Sequence, residues 1–247
     1  MCGFLGIFGP EGVDVAQEIY EGLLAVQHRG QDAAGIITFT DRFHVKKGRG
    51  LVIEVFNKDN MARLRGNLGV GHVRYPTVGS GHDEEAQPFH HTYPLGVAMA
   101  HNGNVTNVEE LTREKFSSNG TRLNSSCDLE IILWVFQDEL ARRIRERGTI
   151  DNDDVFRAVA RVYERVKGAY SVVATIPDVG LVAFRDPYGI KPIVIGEKTT
   201  DEGRWFACAS ESVVLDVTGY QRTIDVGPGE AVFVNDAREV FVRKIAD

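Results

Sequence analysis

Residues 128–148, DLEIILWVFQDELARRIRERG, and residues 151–168, DNDDVFRAVARVYERVKG, stand almost back to back. In the first, Leu129, Ile132, Leu133, Phe136, Leu140 and Ile144 recur at helical spacing, and Gly148 supplies a C-terminal stop. In the second, Val155, Val159, Val162 and Val166 form a similar stripe ahead of Gly168. The spacing predicts one helix from about Asp128 to Arg147 and another from near Asp151 to Gly168. An alternating α/β chain would place a strand between two such helices. None fits here, so the pair decides against that architecture.

Outward from the helices the signals are mostly those of strands. Gly3 to Gly9 reads as a short buried strand, followed by a helix that Asp14 caps and whose residues Val15, Ile19, Leu23 and Val26 lie on one face. Strands are predicted at Ala34–Thr40, Arg42–Lys47, Leu68–Arg74 and Leu95–His101. Asn107 with Glu110 makes a capping-box pattern that starts a short helix. Beyond Gly168 the strands expected are Tyr170–Ile176, Leu181–Arg185, Ile193–Ile195, Trp205–Ser210, Ala231–Asn235 and Val240–Ile245. Short turns such as Pro177-Asp-Val-Gly180 favour antiparallel pairing, and Gly196–Gly203 reads as an exposed charged hairpin loop. The pattern is α+β, in a single domain spanning residues 1–247.

Composition narrows the function. The 247 residues are 43% hydrophobic and 26% charged, an ordinary globular balance. A net charge of −7 leaves no cationic surplus for nucleic acid. No apolar run reaches the roughly 18–20 residues of a membrane span, so no membrane partner is expected. Three separated cysteines without Cys-x-x-Cys spacing point to a reducing compartment and a cytoplasmic location. The seven histidines show no metal-binding spacing, so no metal is expected in this chain, and without a phosphate-binding glycine loop nucleotide binding has no support in the sequence.

Chemistry gathers around Cys2. Removal of Met1 would leave a cysteine bearing both a thiol and an α-amine, whose unperturbed pKa of about 7.7–8.0 suits a built-in general base. Read alone, Cys2 is better explained as a small buried residue opening a strand. His101-Asn-Gly-Asn104 offers Asn102 and Gly103 as donors to an oxyanion, or else forms a common glycine turn. Arg74 ends a strand, either to grip a carboxylate or to make a surface ion pair. Asp128 opens the long helix, as a ligand for an ammonium group or merely as its cap. Together they suit glutamine: a cation for its carboxylate, an anion for its ammonium, donors for its amide oxygen and a thiol for attack.

At this point the sequence resembles a known family. Met1-Cys-Gly-Phe-Leu-Gly-Ile-Phe-Gly9, Gln27-His-Arg-Gly-Gln-Asp-Ala-Ala-Gly35, Gly71-His-Val-Arg-Tyr-Pro-Thr77, Gln87-Pro-Phe89, His101-Asn-Gly-Asn-Val-Thr-Asn107, Arg185-Asp-Pro-Tyr-Gly-Ile-Lys-Pro192 and Ala209-Ser-Glu-Ser212 match, in order, the glutaminase domain of the amidophosphoribosyltransferase family. The resemblance covers nearly the whole chain. It implies a four-layer αββα sandwich of two antiparallel sheets, as in the N-terminal-nucleophile hydrolases. It also implies Cys2 as nucleophile, Asn102 and Gly103 as the oxyanion hole, Arg74 and Asp128 as holders of glutamine's carboxylate and ammonium, and Arg29 and Thr77 among the groups around the substrate. Hydrolysis would pass through a γ-glutamyl thioester and release ammonia for phosphoribosyl pyrophosphate, at the start of purine nucleotide synthesis.

Two departures are local: Ser126-Cys-Asp-Leu-Glu130 stands where the family usually has Ser-Asp-Thr-Glu, and Pro76 where serine is common. A larger one is that no segment resembles the phosphoribosyltransferase half, the part for which Mg would be expected. The resemblance therefore implies a phosphoribosyltransferase domain or subunit as partner, alongside L-glutamine, and leaves homo-oligomerisation open. Other readings are a stand-alone glutaminase serving another acceptor, an amidase for a different amide, and a non-catalytic glutamine-sensing subunit.

Overall fold

The first strand, β1 (Gly3–Phe8), is buried at all its positions, so it must be covered on both faces. The computed structural model describes residues 1–75, 85–120 and 122–247. Phe4 and Phe8 of β1 point into one apolar layer, while Leu5 and Ile7 point into another. That alternation is the period of a strand sandwiched between two hydrophobic surfaces.

Among the described residues, β1 lies inside a seven-stranded antiparallel sheet. Its other members are β2 (Ala33–Phe39), β3 (Phe43–Arg49), β4 (Leu68–Arg74), β9 (Val194–Thr200), β10 (Gly203–Ala209) and β11 (Gln221–Asp225), in the order β11-β9-β10-β1-β4-β2-β3. A second, six-stranded antiparallel sheet holds β5 (Phe89–His91), β6 (Val97–Val105), β7 (Gly168–Ile176), β8 (Gly180–Arg185), β12 (Glu230–Asn235) and β13 (Val240–Lys244), ordered β13-β12-β8-β7-β6-β5. Phe4, Val70, Ala100, Val173, Phe206 and Val232 fill the gap between the sheets.

Helices close the outer faces. On the first sheet lie α1 (Ala16–Ala25) and α7 (Val213–Thr218), whose Ile19, Leu23, Val214 and Leu215 meet Leu5, Ile7 and Ile36. The short α2 (Val52–Val55) belongs to the same layer, with α3 (Lys58–Met61) just after it. On the second sheet, α4 (Val108–Asn119), α5 (Leu129–Arg147) and α6 (Asn152–Arg165) cover Val172, Phe184 and Phe233. The result is the four-layer αββα arrangement of an α+β fold. Glycine sets one layer spacing: a Cβ at Gly71 would lie 2.4 Å from Ile19 Cγ2, so its absence lets α1 rest directly on the sheet.

Several local expectations are corrected. Val15, not Asp14, occupies the cap of α1, and Asp14 Oδ1 accepts the Gly66 N–H at 2.7 Å instead. The Asn107 capping box does not form. Its amide donates to Arg165 O and accepts the Lys167 N–H, each at 2.9 Å, tying the start of α4 to the end of α6. Gly196–Gly203 is a hairpin whose loop is only Asp201-Glu202, since β9 continues to Thr200 and pairs with β10. Lys198 explains the misreading: its ammonium lies 5.1 Å from the Trp205 ring and 4.4 Å from the Tyr220 ring, so a charge sits within a packed sheet. Strands β5 and β11 were not anticipated.

Candidate active site

Strand ends build the site. Cys2 stands one residue before β1, Arg74 closes β4, Asn102 and Gly103 lie within β6, and Asp128 immediately precedes α5. Alternation puts His72 and Arg74 on the face of β4 that carries Leu68 and Val70, toward the second sheet. A cleft of roughly 540 Å³ opens there, and Cys2, Arg74, His101, Gly103, Cys127 and Asp128 line it. Thr77, also expected at the site, lies outside the described residues.

Cys2 is fixed from several directions. Its Sγ lies 3.5 Å from Tyr75 N and 3.8 Å from Tyr75 O. Arg29, from a tight turn at Gln27–Arg29, donates Nε to the Cys2 carbonyl at 3.0 Å and Nη1 to Glu211 Oε2 at 3.0 Å. Arg29 is thus a brace behind the cysteine and is not part of the cleft lining. Burial, with a small addition from Asp128, pushes the Cys2 thiol up; the Tyr75 N–H, the Met1 ammonium and Arg74 pull the other way without cancelling it. With Met1 in place the resting group at neutral pH is therefore a thiol. Cys127, the other thiol in the cleft, is pushed up to about 12 by burial and then by Asp128, which keeps it a thiol and not a thiolate at neutral pH.

Arg74 is buried between two carboxylates, with Nη1 2.6 Å from Asp32 Oδ2 and Nη2 2.6 Å from Glu85 Oε2. Glu85 also accepts from Ser126 Oγ. Neither acid was anticipated as part of the site. Asp32 sits in the Gln27–Gly35 motif, but nothing local tells an acid that holds an arginine from a solvated one.

The strand β6 runs on past His101 to Val105, so His101-Asn-Gly-Asn104 is strand and not a turn. Gly103 passes so close to β7 that a Cβ would lie 2.3 Å from Ala169 O. Asn102 is buried, and its Nδ2 makes no hydrogen bond among the described residues. Its register partner Ser171 is likewise buried, its hydroxyl also without a partner among the described residues. Buried donors are normally satisfied, so an open amide on the strand that borders the cleft calls for a reason.

Asp128 occupies the cap position of α5, yet its side chain makes no cap hydrogen bond. Oδ2 instead accepts the Val105 N–H at 2.8 Å, and Oδ1 lies 3.2 Å from His101 Nε2. Burial alone would raise this carboxyl; His101 and the Val105 N–H outweigh it and hold the group below the usual carboxylate range. It is an anion at neutral pH. His72, fully buried in β4, is pushed down to about 3 by burial and so is neutral; its Nε2 donates to His101 O at 3.2 Å.

A family model described as a glutamine amidotransferase domain matches residues 72–216. An amidophosphoribosyltransferase of Pseudomonas aeruginosa is 46% identical over 247 residues, which is 100% of this chain and 48% of that protein. The amidophosphoribosyltransferase of Escherichia coli K12 is 45% identical over 250 residues, covering 100% of this chain and 49% of the relative. A solved chain described as the allosteric regulatory enzyme of purine biosynthesis superposes with a TM-score of 0.80 at 29% identity, covering 99% of this chain and 49% of that one. The chain spans about half the length of the curated relatives it matches.

Proposed function

This chain belongs to the glutamine amidotransferase domain family, and from that premise we propose that it hydrolyses the side-chain amide of glutamine with Cys2 as nucleophile. One observation carries the reading. Cys2, Arg74, Gly103 and Asp128, far apart in sequence, line a single cleft, and the open amide of Asn102 is buried next to it on the same strand as Gly103. In this reading Asp128 receives the substrate's ammonium. Arg74 receives its carboxylate, partly in exchange for contacts with Asp32 and Glu85.

Once Met1 is removed, the α-amine of Cys2 takes the thiol proton as sulfur attacks the amide carbon. Asn102 Nδ2–H and the Gly103 N–H stabilise the oxyanion. The amine then returns the proton to the leaving nitrogen and the C–N bond breaks, freeing ammonia and leaving a γ-glutamyl thioester on Cys2. Water, deprotonated by the same amine, attacks the thioester; glutamate departs and the thiol is restored. Each step uses groups of this chain and requires no metal.

We further propose that the ammonia aminates phosphoribosyl pyrophosphate, at the entry to purine synthesis, on an acceptor region like the remaining half of the relatives. The test begins with Cys2→Ala, which should abolish glutamine hydrolysis while circular dichroism and melting temperature stay unchanged. A glutamine-analogue affinity label should add its mass to the wild type and not to this variant. Persistent hydrolysis by pure Cys2→Ala would sink the assignment.

A further inference from the structure

Gln87 is buried and carries no role in the chemistry above. Its Oε1 lies 2.9 Å from the backbone N of His101, and its Nε2 lies 3.0 Å from His101 Nδ1. A backbone N–H can only donate, so the atom facing it is the amide oxygen, and the atom facing the ring is the amide NH₂. That NH₂ can only donate as well, so Nδ1 is an acceptor and the neutral imidazole bears its proton on Nε2. Nε2 sits 3.2 Å from Asp128 Oδ1, within reach but short of hydrogen-bond alignment.

The consequence falls on Asp128. An aspartate at a helix cap ordinarily turns its carboxylate onto the first N–H groups of its own helix. Asp128 does not: its backbone is already helical (φ −64°, ψ −21°), and its carboxylate turns toward β6, where the Val105 N–H holds one oxygen and His101 faces the other. It also stays 22% exposed, on the cleft. His101 is itself anchored from the opposite sheet by His72.

We propose that Gln87 and His101 are positioning residues for recognition of the substrate's α-ammonium. Gln87 sets the ring tautomer, so that His101 turns an N–H, and not a lone pair, toward the Asp128 oxygen on the cleft. This rests on the glutaminase reading and deepens it.

The test compares two substrates on the processed full chain, glutamine and its analogue lacking the α-amino group. His101→Leu should raise KM for glutamine about 10-fold, because Asp128 loses the N–H that faces one of its oxygens, with kcat little changed. It should leave KM for the deamino analogue unaltered. His101→Gln, whose amide reaches the place of Nε2, should recover most of the affinity. Gln87→Met is the milder variant should His101→Leu fold poorly; it should raise KM for glutamine alone, and nitrogen-15 spectra should show an Nδ1–H population absent from the wild type. Equal KM increases for both substrates, or a wild-type ring protonated on Nδ1, would overturn the proposal. If the wild type hydrolyses neither substrate, the glutaminase reading has failed, and the spectra still decide the tautomer.

Discussion

Asn102 holds an amide N–H with no acceptor among the described residues inside a buried strand, a state that costs a folded protein about 1–3 kcal/mol. The proposed oxyanion role supplies a reason for tolerating that cost. Asn102→Ala should then lower kcat by about 10²–10³, or about 2.7–4 kcal/mol of transition-state stabilisation, with little change in KM. Steady-state kinetics check this, and a change confined to KM would place Asn102 elsewhere. Arg74 is a different kind of residue, because its two nitrogens answer two acids at once. A lysine is a point charge and cannot bridge Asp32 and Glu85 in the same way. Arg74→Lys should raise KM for glutamine and lower the melting temperature together; an unchanged KM would remove Arg74 from substrate binding.

At the scale of elements, β4 shows how one strand serves two layers. Leu68, Val70, His72 and Arg74 face the second sheet, and Gly69 and Gly71 on the other side admit α1. Gly71→Ala would set a methyl 2.4 Å from Ile19 Cγ2 and 3.1 Å from Leu23 Cδ1. Overpacking of this kind costs about 1–3 kcal/mol, so denaturant unfolding should show a loss in that range. Full stability would mean that α1 can lift away from the sheet. Elements also explain what was legible. Long periodic segments such as α5 and α6 were evident because one face repeats over several turns. Asn107 and Asp128 misled or stayed ambiguous because their partners, Arg165 and Lys167 for one, His101 and Val105 for the other, come from other elements. A capping residue can be recognised from neighbours three positions away only when no distant group competes for it.

Across the whole molecule, two sheets packed face to face leave an end of the inter-sheet layer open, and the cysteine lies at that end, with strand termini from both sheets around it. The helical layers cover the outer faces and hold the strands in register. The sequence by itself determined the α+β class, the two adjacent helices, most strands, and the family motifs carrying Cys2, Arg74, Asn102, Gly103 and Asp128. It did so because periodicity and motif spacing are local properties of a chain. Only the tertiary structure decided that Arg74 lies between Asp32 and Glu85, that Arg29 braces the Cys2 carbonyl, and that Gln87 reaches Asp128 through His101. Those partners meet because antiparallel registers and sheet packing bring distant side chains within about 3 Å, where hydrogen-bond geometry selects among them.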